Sequence, residues 1–340
     1  MHLIFSENKD VSTNAIIDWL IFKNEDYIRY NGKITAQEEG FDFTNKTYSI
    51  SIDNNRDSSI QIKSSLSSSN KFLEKVTSLL FRRPAGFLNQ LYTPLKNDLN
   101  SIPKKEINKN LYYHFLESKN VIINFLENKA GKILGNYRKT GLNKPNTLQL
   151  AKECGLDIPN TLITNSKEGL LIFFALNKKK IITKALYEAF SHAIPKKYWI
   201  SNKTVLIESM LKLPDEFAPS LFQEYIDKEY ELRIFYLDGD FFSSAIFSQK
   251  NKKTGIDYRN YDEENPNRIV PYNLTEKIKD KLVKLMDKVG LNSGSIDLIK
   301  SIDGRYVFLE INPVGQYGFI SEPCNFNLEM EICNYLVNES

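Results

Sequence analysis

The sequence predicts a mixed α/β (α+β) protein of two or three domains, on three observations. Helix-like and strand-like periodicities alternate between residues 104 and 186. Two Asp-Gly pairs, Asp238-Gly239 and Asp303-Gly304, each stand between apolar runs, the strongest short-range signal for a β-hairpin. The 340 residues are 41% hydrophobic and 12% aromatic, enough to bury substantial cores.

Taken in order, residues 3–5 read as a strand, Ser12 or Thr13 caps a helix through about Phe22, and residues 27–30 form a second strand, a small βαβ unit. After Asn31-Gly32 come alternating segments at 41–43, 48–52 and 60–62, then a Ser-rich loop at 64–70. Residues 104–129 repeat apolar positions three and four apart (Ile107, Leu111, Phe115, Ile122, Phe125, Leu126), a helix. A helix opens at Asn143-Lys144-Pro145 and ends at Gly155, and residues 158–164 follow as a strand. Ser166 caps a helix through about Leu176, and 180–186 is extended again. Residues 221–226 form a strand running into a linker, ahead of the hairpin 231–247. Residues 250–267 are polar and expected to be mobile, a helix spans about 275–289, and a last helix spans 328–337.

A net charge of +3 with 26% charged residues argues against nucleic acid or an anionic membrane as the main partner. Three cysteines (Cys154, Cys324, Cys333) and three histidines (His2, His114, His192) lack metal-ligand spacing, which points to a reducing compartment. The N-terminus lacks a basic leader and cleavage site, and the longest apolar run, 170–176, is too short to span a bilayer. The expectation is a cytoplasmic soluble protein.

The second hairpin carries the sharpest chemical signal. With Asp303 and Gly304 as central turn residues, Ile302 pairs with Arg305, and counting outward sets Asp297 opposite Glu310. Asn312 lies two residues beyond Glu310 on the same face. Opposed side chains have Cβ atoms about 5 Å apart, where like charges repel. Two carboxylates and an amide oxygen there suit a hard cation such as magnesium; a solvated strand face is the plainer alternative. Lys184, in an otherwise apolar strand, either snorkels from an edge or contacts phosphate. Gln223, Glu224, Tyr225 and Ile226 are either a connecting strand or a linker offering backbone groups to an adenine edge. The same counting places Glu231 and Arg233 on one face, with Arg233 opposite Ser244. They are either an ordinary ion pair or, for Arg233 together with Arg259, a fork for phosphate or carboxylate. Arg82-Arg83-Pro84 reads as structural. Glycine-rich phosphate and dinucleotide motifs, a nucleophile elbow and a kinase His-Arg-Asp triplet are all missing from the sequence.

The order of these pieces resembles the ATP-grasp superfamily over roughly residues 130 to 320: a strand lysine, a Gln-Glu-aromatic-Ile linker, an acidic-x-Arg strand and Asp…Glu-x-Asn. Phe81-Arg82-Arg83-Pro84, Tyr230-Glu231-Leu232-Arg233, Asp257-Tyr258-Arg259 and Asn312-Pro313-Val314-Gly315-Gln316-Tyr317 look like the graspetide maturases, microviridin-type and, more closely, "grasp-with-spasm". Ile4-Phe5-Ser6-Glu7 and Asn143-Lys144-Pro145 look like the same subgroup. The resemblance implies an N-terminal pre-ATP-grasp-like domain (1–104), a central subdomain (105–222) and a C-terminal subdomain with the metal site (223–340). It implies ATP and Mg2+ as cofactors, a precursor peptide (leader plus core) as partner, and possible homodimerisation. By resemblance Asp297, Glu310 and Asn312 hold Mg2+, Lys184 meets the phosphates, Glu224 and Ile226 meet adenine, and Glu231 meets ribose. Arg233 and Arg259 orient a peptide carboxylate, which becomes an acyl phosphate and is captured by a Ser or Thr hydroxyl as an ω-ester. One departure is the stretch after Lys184, Tyr187-Glu188-Ala189-Phe190-Ser191, which is not glycine-rich. An amide-forming ligase, a nucleotide-binding regulator without turnover and a ligand-free structural protein are the competing readings.

Overall fold

His2–Ser6 (β1), Val11–Phe22 (α1) and Tyr27–Asn31 (β2) form the expected strand–helix–strand, with β1 and β2 parallel and His2 beside Tyr27. The computed structural model describes residues 1–7, 10–31, 47–51, 59–63, 76–83, 104–186, 191–194, 198–201, 204–207, 214–249, 251, 254–259 and 262–338. The expected strand at 41–43, the loop at 64–70 and Tyr187 to Phe190 lie outside these residues. The cap of α1 differs from expectation. Asp10 occupies the N-cap position, while Ser12 and Thr13 are buried in the first turn, with the Thr13 hydroxyl donating to Asp10 Oδ2 at 3.1 Å. A carboxylate there also suits the positive end of the helix.

Thr47–Ser51 (β3) and Ser59–Lys63 (β4) pair antiparallel, Ser78–Phe81 (β5) follows, and Lys104–Lys129 (α2) spans the predicted helix before Lys132–Leu134 (β6). A parallel sheet runs in the order β2-β1-β5-β6. Leu3, Phe5, Leu79 and Phe81 from its strands pack on Ile122, Ile123 and Leu126 of α2. This sheet belongs to one of two compact units, Met1–Thr140 with Asn327–Ser340; the other is Gly141–Phe326.

The second unit opens with Lys144–Glu153 (α3), whose N-cap Asn143 accepts from the Asn146 N–H at 3.0 Å, with Pro145 in the first turn. Thr161–Ser166 (β7) begins three residues later than predicted, because Pro159 has no N–H for a ladder. Lys167–Leu176 (α4) is capped by Ser166, as predicted. Ile181–Lys184 (β8), Ser191–Ile194 (β9), Tyr198–Ser201 (β10), Val205–Ile207 (β11) and Glu216–Glu224 (β12) follow. β9 pairs with β10, and an antiparallel sheet runs β11-β8-β12-β7.

Lys228–Leu237 (β13), Asp240–Phe247 (β14), Arg268–Pro271 (β15), Glu276–Val289 (α5), Ser293–Ser301 (β16), Tyr306–Asn312 (β17) and Gly318–Ser321 (α6) complete this unit, and Leu328–Val337 (α7) ends the chain. The five strands form an antiparallel sheet in the order β15-β14-β13-β16-β17. Along each strand side chains alternate between faces. One face, with Leu232, Ile234, Ala245, Ile296 and Leu298, packs on Leu282, Leu285 and Met286 of α5 and on Leu148 and Ala151 of α3. The other face carries Glu231, Arg233, Asp297 and Glu310.

The two Asp-Gly turns differ. Leu237 pairs with Asp240 across Asp238 and Gly239, both at positive φ, the expected two-residue turn. At the second, Ser301 rather than Ile302 closes the hairpin: the Ser301 N–H donates to Arg305 O, and the Gly304 N–H to Ser301 O. Ile302, Asp303 and Gly304 (φ 89°) make a three-residue loop with glycine in the left-handed position. That shifts the ladder by one residue, so Lys300 pairs with Tyr306. A bulge at Leu309 shifts it back, and Asp297 does pair with Glu310.

Candidate active site

The opposite face of the five-stranded sheet carries a polar row that the ladder registers define. Glu310 pairs with Asp297, Asp297 with Arg233, and Arg233 with Ser244, one residue from each of β17, β16, β13 and β14. Two positions along the strands, Ile299, Glu231 and Ile246 form a second row on the same face. Sequence counting found the Asp297–Glu310 and Arg233–Ser244 pairs. The juxtaposition of Arg233 and Asp297 follows from β13 lying beside β16, which no local pattern reports.

Arg233 Nη1 donates to both oxygens of Asp297 at 2.9 Å, and its Nη2 donates to the Gln316 carbonyl at 2.7 Å. Both side chains are buried. Burial pushes the Asp297 carboxyl up; Arg233 opposes this and Glu310 adds to it. Glu231 pairs with Lys228 at 2.5 Å and accepts from the Ser248 hydroxyl at 2.9 Å, so Glu231 and Arg233 are not each other's partners. Burial raises its pKa against the pull of Lys228.

Arg259 reaches the row from the segment after β14. Asp257 accepts from the backbone N–H, Nε and Nη2 of Arg259 at 3.1, 2.9 and 2.8 Å, and also from the Thr204 hydroxyl at 3.0 Å. Burial alone would raise Asp257, but Arg259 outweighs it and holds the carboxyl at about 2. So clamped, Arg259 points Nη1 at Glu310 Oε1, 3.2 Å away. The Tyr258 hydroxyl lies 3.5 Å from Asp297 Oδ1, and burial raises its pKa.

Lys184 ends β8, opposite Leu221 of β12. Burial lowers its pKa, with Glu310 opposing. Burial would raise Glu310 in turn, yet Lys184, Arg259 and Lys144 together hold it below its ordinary value. Lys144, at the first position of α3, donates to the Ala185 carbonyl at 3.2 Å. Lys144 was not among the residues assigned a role from sequence; a lysine at a helix start close enough to lower the pKa of the strand lysine Lys184 adds positive charge suited to an anion.

Lys184, Gln223, Glu224, Tyr225, Ile226, Glu231, Arg259, Asp297 and Glu310 line one cleft. It encloses about 690 Å3 counting its mouth. The linker residues 223–226 leave the ladder after Glu224. The N–H of Glu224 donates to Asn160 O and that of Tyr225 to Lys180 O, whereas the N–H of Ile226 donates to no described backbone group. Gln223 is buried, with Nε2 donating to Thr161 Oγ1 at 3.0 Å and Oε1 without a partner among the described residues.

Asn312 is exposed on the same face, beyond Glu310 and opposite Ser295, and does not line the cleft. Among the described residues no three His, Cys, Asp or Glu side chains gather as a metal site, so a third protein oxygen would have to come from an amide such as that of Asn312. Two carboxylates plus an amide form an all-oxygen donor set, which fits Mg2+ rather than a softer metal. Two arginines neutralise these carboxylates, so a metal ion would compete with Arg259 for Glu310 and with Arg233 for Asp297.

No protein-family model matches the chain, and no curated protein does. Solved structures do match. The macrocyclase MdnC from Microcystis aeruginosa MRC, bound with precursor peptide MdnA, is 24% identical at a TM-score of 0.69, with 100% of both chains covered. A RiPP-associated ATP-grasp ligase of Chryseobacterium gregarium, in complex with ADP and a leader and core peptide, is 21% identical at 0.71, covering 98% of this chain and 94% of that one. The ATP-grasp ligase PsnB, complexed with minimal precursor, Mg and ADP, is 16% identical at 0.69, covering 99% and 96%. The chain has the ATP-grasp fold. Among the described residues no helix is long and apolar enough to cross a membrane.

Proposed function

We propose that this chain is an ATP-dependent macrocyclase of a ribosomally made precursor peptide. It activates Asp or Glu side-chain carboxylates as acyl phosphates, which Ser or Thr hydroxyls of the same peptide capture as ω-esters. The observation that carries the reading is Glu310 and Asp297 lining one cleft with Lys184 and clamped Arg259, while Arg233 stands behind Asp297 in the ladder: metal-type oxygens and phosphate-type cations share one cleft. The likeness to MdnC, PsnB and the Chryseobacterium ligase, solved with precursor peptide, Mg or ADP, supports the substrate and the cofactors.

Asp297, Glu310 and Asn312 would hold magnesium, which when bound offsets the charge of the β- and γ-phosphates. Lys184 and Lys144 draw the phosphates inward. The N–H of Ile226, with Glu224 beside it, faces the adenine edge, and Glu231 takes the ribose. Arg233 and Arg259 orient the peptide carboxylate and stabilise the charge spread over the transferring phosphoryl group. Asp257 keeps Arg259 aimed once Glu310 lets go of it. The buried floor excludes water that would otherwise hydrolyse the acyl phosphate.

Incubation of the full chain with ATP, Mg2+ and the peptide encoded beside its gene tests this. Mass spectrometry should show loss of one water per ring, and Asp297→Asn should abolish it. Rings opened by mild alkali are esters; rings that survive would mark the amide-forming alternative. ATP consumption that joins only free amines or amino acids would overturn the macrocyclase reading.

A further inference from the structure

A second cavity lies on the same sheet face as the nucleotide-side cleft. Glu231 pairs with Ile246, and Ile246 with Ile269, so the row that floors the cleft continues across β14 and β15. Ile246 and Ile269 form the floor of this second space, which encloses about 1070 Å3 counting its mouth. Tyr258 and Arg259 line both spaces and so stand between them. Phe319 and Pro323 add apolar wall, and Phe319 lies against the Tyr258 ring at 6.0 Å and the Arg233 guanidinium at 5.7 Å.

We infer that this cavity holds the acceptor-bearing segment of the substrate peptide, and that Glu322 on its rim takes the proton from the attacking hydroxyl. The inference rests on the proposed macrocyclase function and names that function's second half-site. An acyl phosphate held at Arg233 and Arg259 has the nucleotide on one side. The attacking group must enter from another, and this cavity reaches the same two arginines through Arg259 itself and Phe319. Its apolar walls keep water from the acyl carbon while admitting a peptide side chain.

The lining also selects the proton acceptor. Tyr258 and Arg259 are already protonated and committed, to Asp297 and to Asp257 with Glu310. Glu322, exposed at the C-terminal end of α6, is the carboxylate among the residues that line this cavity. The hydroxyl oxygen attacks the acyl carbon and the ester C–O bond forms. The carbon–phosphate oxygen bond breaks, inorganic phosphate leaves with the electron pair, and the hydroxyl proton passes to Glu322.

The test separates activation from closure. The full chain, ATP, Mg2+ and the Thr/Ser- and Asp/Glu-bearing peptide encoded beside the gene are assayed twice. Added hydroxylamine reports the acyl phosphate as a hydroxamate, and loss of water reports ring closure. Ile269→Trp fills the cavity floor, and Glu322→Gln keeps shape while removing the base. Both should retain hydroxamate formation within about twofold, showing a folded, activating enzyme. Ring closure should fall about 100-fold in Glu322→Gln, within the usual range for a general base. Undiminished closure in Ile269→Trp, or loss of hydroxamate together with closure, would overturn the cavity assignment; undiminished closure in Glu322→Gln would overturn the base. If the wild-type chain forms no ATP-dependent hydroxamate at all, carboxylate activation itself fails instead.

Discussion

Arg233 lies directly opposite Asp297 in the β13–β16 ladder and donates from one nitrogen to both of its carboxylate oxygens at 2.9 Å. Both are buried, so neither charge can be removed alone without stranding the other. Arg233→Met should cost about 3–5 kcal/mol, the usual penalty for breaking such a pair. The cost should depend on pH with a defined sign. The folded-state pKa of Asp297 is raised, and losing the guanidinium raises it further, so the ionised carboxylate is the costly species. The variant's deficit therefore grows as pH rises above the ordinary carboxylate value and shrinks on acidification. Urea denaturation at pH 5 and pH 8 measures this; a deficit that is the same at both would mean Asp297 is not what destabilises the variant.

Gly315 holds the same pair in place by having no side chain. A Cβ there would sit 2.7 Å from Ser295 Cβ and 2.8 Å from Arg233 Nη2. Gly315→Ala should push the guanidinium off Asp297, costing about 1–3 kcal/mol for overpacking and most of the cyclisation activity. Gly304→Ala is the control. Its φ of 89° is strained for alanine, but no described residue lies within 4 Å, so it should lose about 1 kcal/mol with activity intact. Thermal melts beside a ring-closure assay distinguish the two, and equal activity in both variants would remove Gly315 from the argument.

The difference between these glycines also shows what was legible in the sequence. Asp303-Gly304 announced a hairpin, and the Asp297–Glu310 pairing followed from it, although by a route with two offsetting steps. A three-residue loop moved the ladder one way and the bulge at Leu309 moved it back. Turn chemistry is local and readable, whereas a bulge answers to its neighbours; here the Phe308 N–H leaves to bond Asp157 O. Lys184 and the linker 223–226 were visible as departures from apolar strand patterns. The pairing of Arg233 with Asp297 was not, because strand order is set by tertiary packing, and that of Glu231 with Lys228 was not, because a bulge between Lys228 and Tyr230 turns both to one side.

Lys184 and Glu310 make a coupled prediction. Burial would raise the Glu310 carboxyl, and Lys184 is the largest of the charges that reverse this. A carboxyl depressed below its ordinary 4.5 contributes stability above that value and loses it as pH falls through the folded value. Lys184→Met moves the folded value up, so acid unfolding should begin at a higher pH. ATP should also bind roughly 10- to 100-fold more weakly, as expected for losing a hydrogen bond to a charged group. Far-ultraviolet circular dichroism against pH and calorimetry with ATP check the two halves. An unshifted acid transition would show that Lys184 does not set Glu310.

Gln223 should decide which purine enters the cleft. The Thr161 hydroxyl donates to the Pro159 carbonyl at 2.8 Å, so its oxygen can only accept from Gln223. That fixes the amide orientation, with the nitrogen toward Thr161 and Oε1 left as a buried acceptor without a donor among the described residues. Adenine carries an N–H donor at its 6-position and guanine a carbonyl, so Oε1 should welcome the first and repel the second. ATP should outcompete GTP, and a purine riboside triphosphate bare at position 6 should fall between them. Gln223→Leu should weaken ATP by roughly tenfold, the worth of one buried hydrogen bond, and leave GTP unchanged or improved. Competition binding with the three nucleotides measures this directly, and an ATP-to-GTP ratio unmoved by the substitution would place base selection in the linker backbone instead.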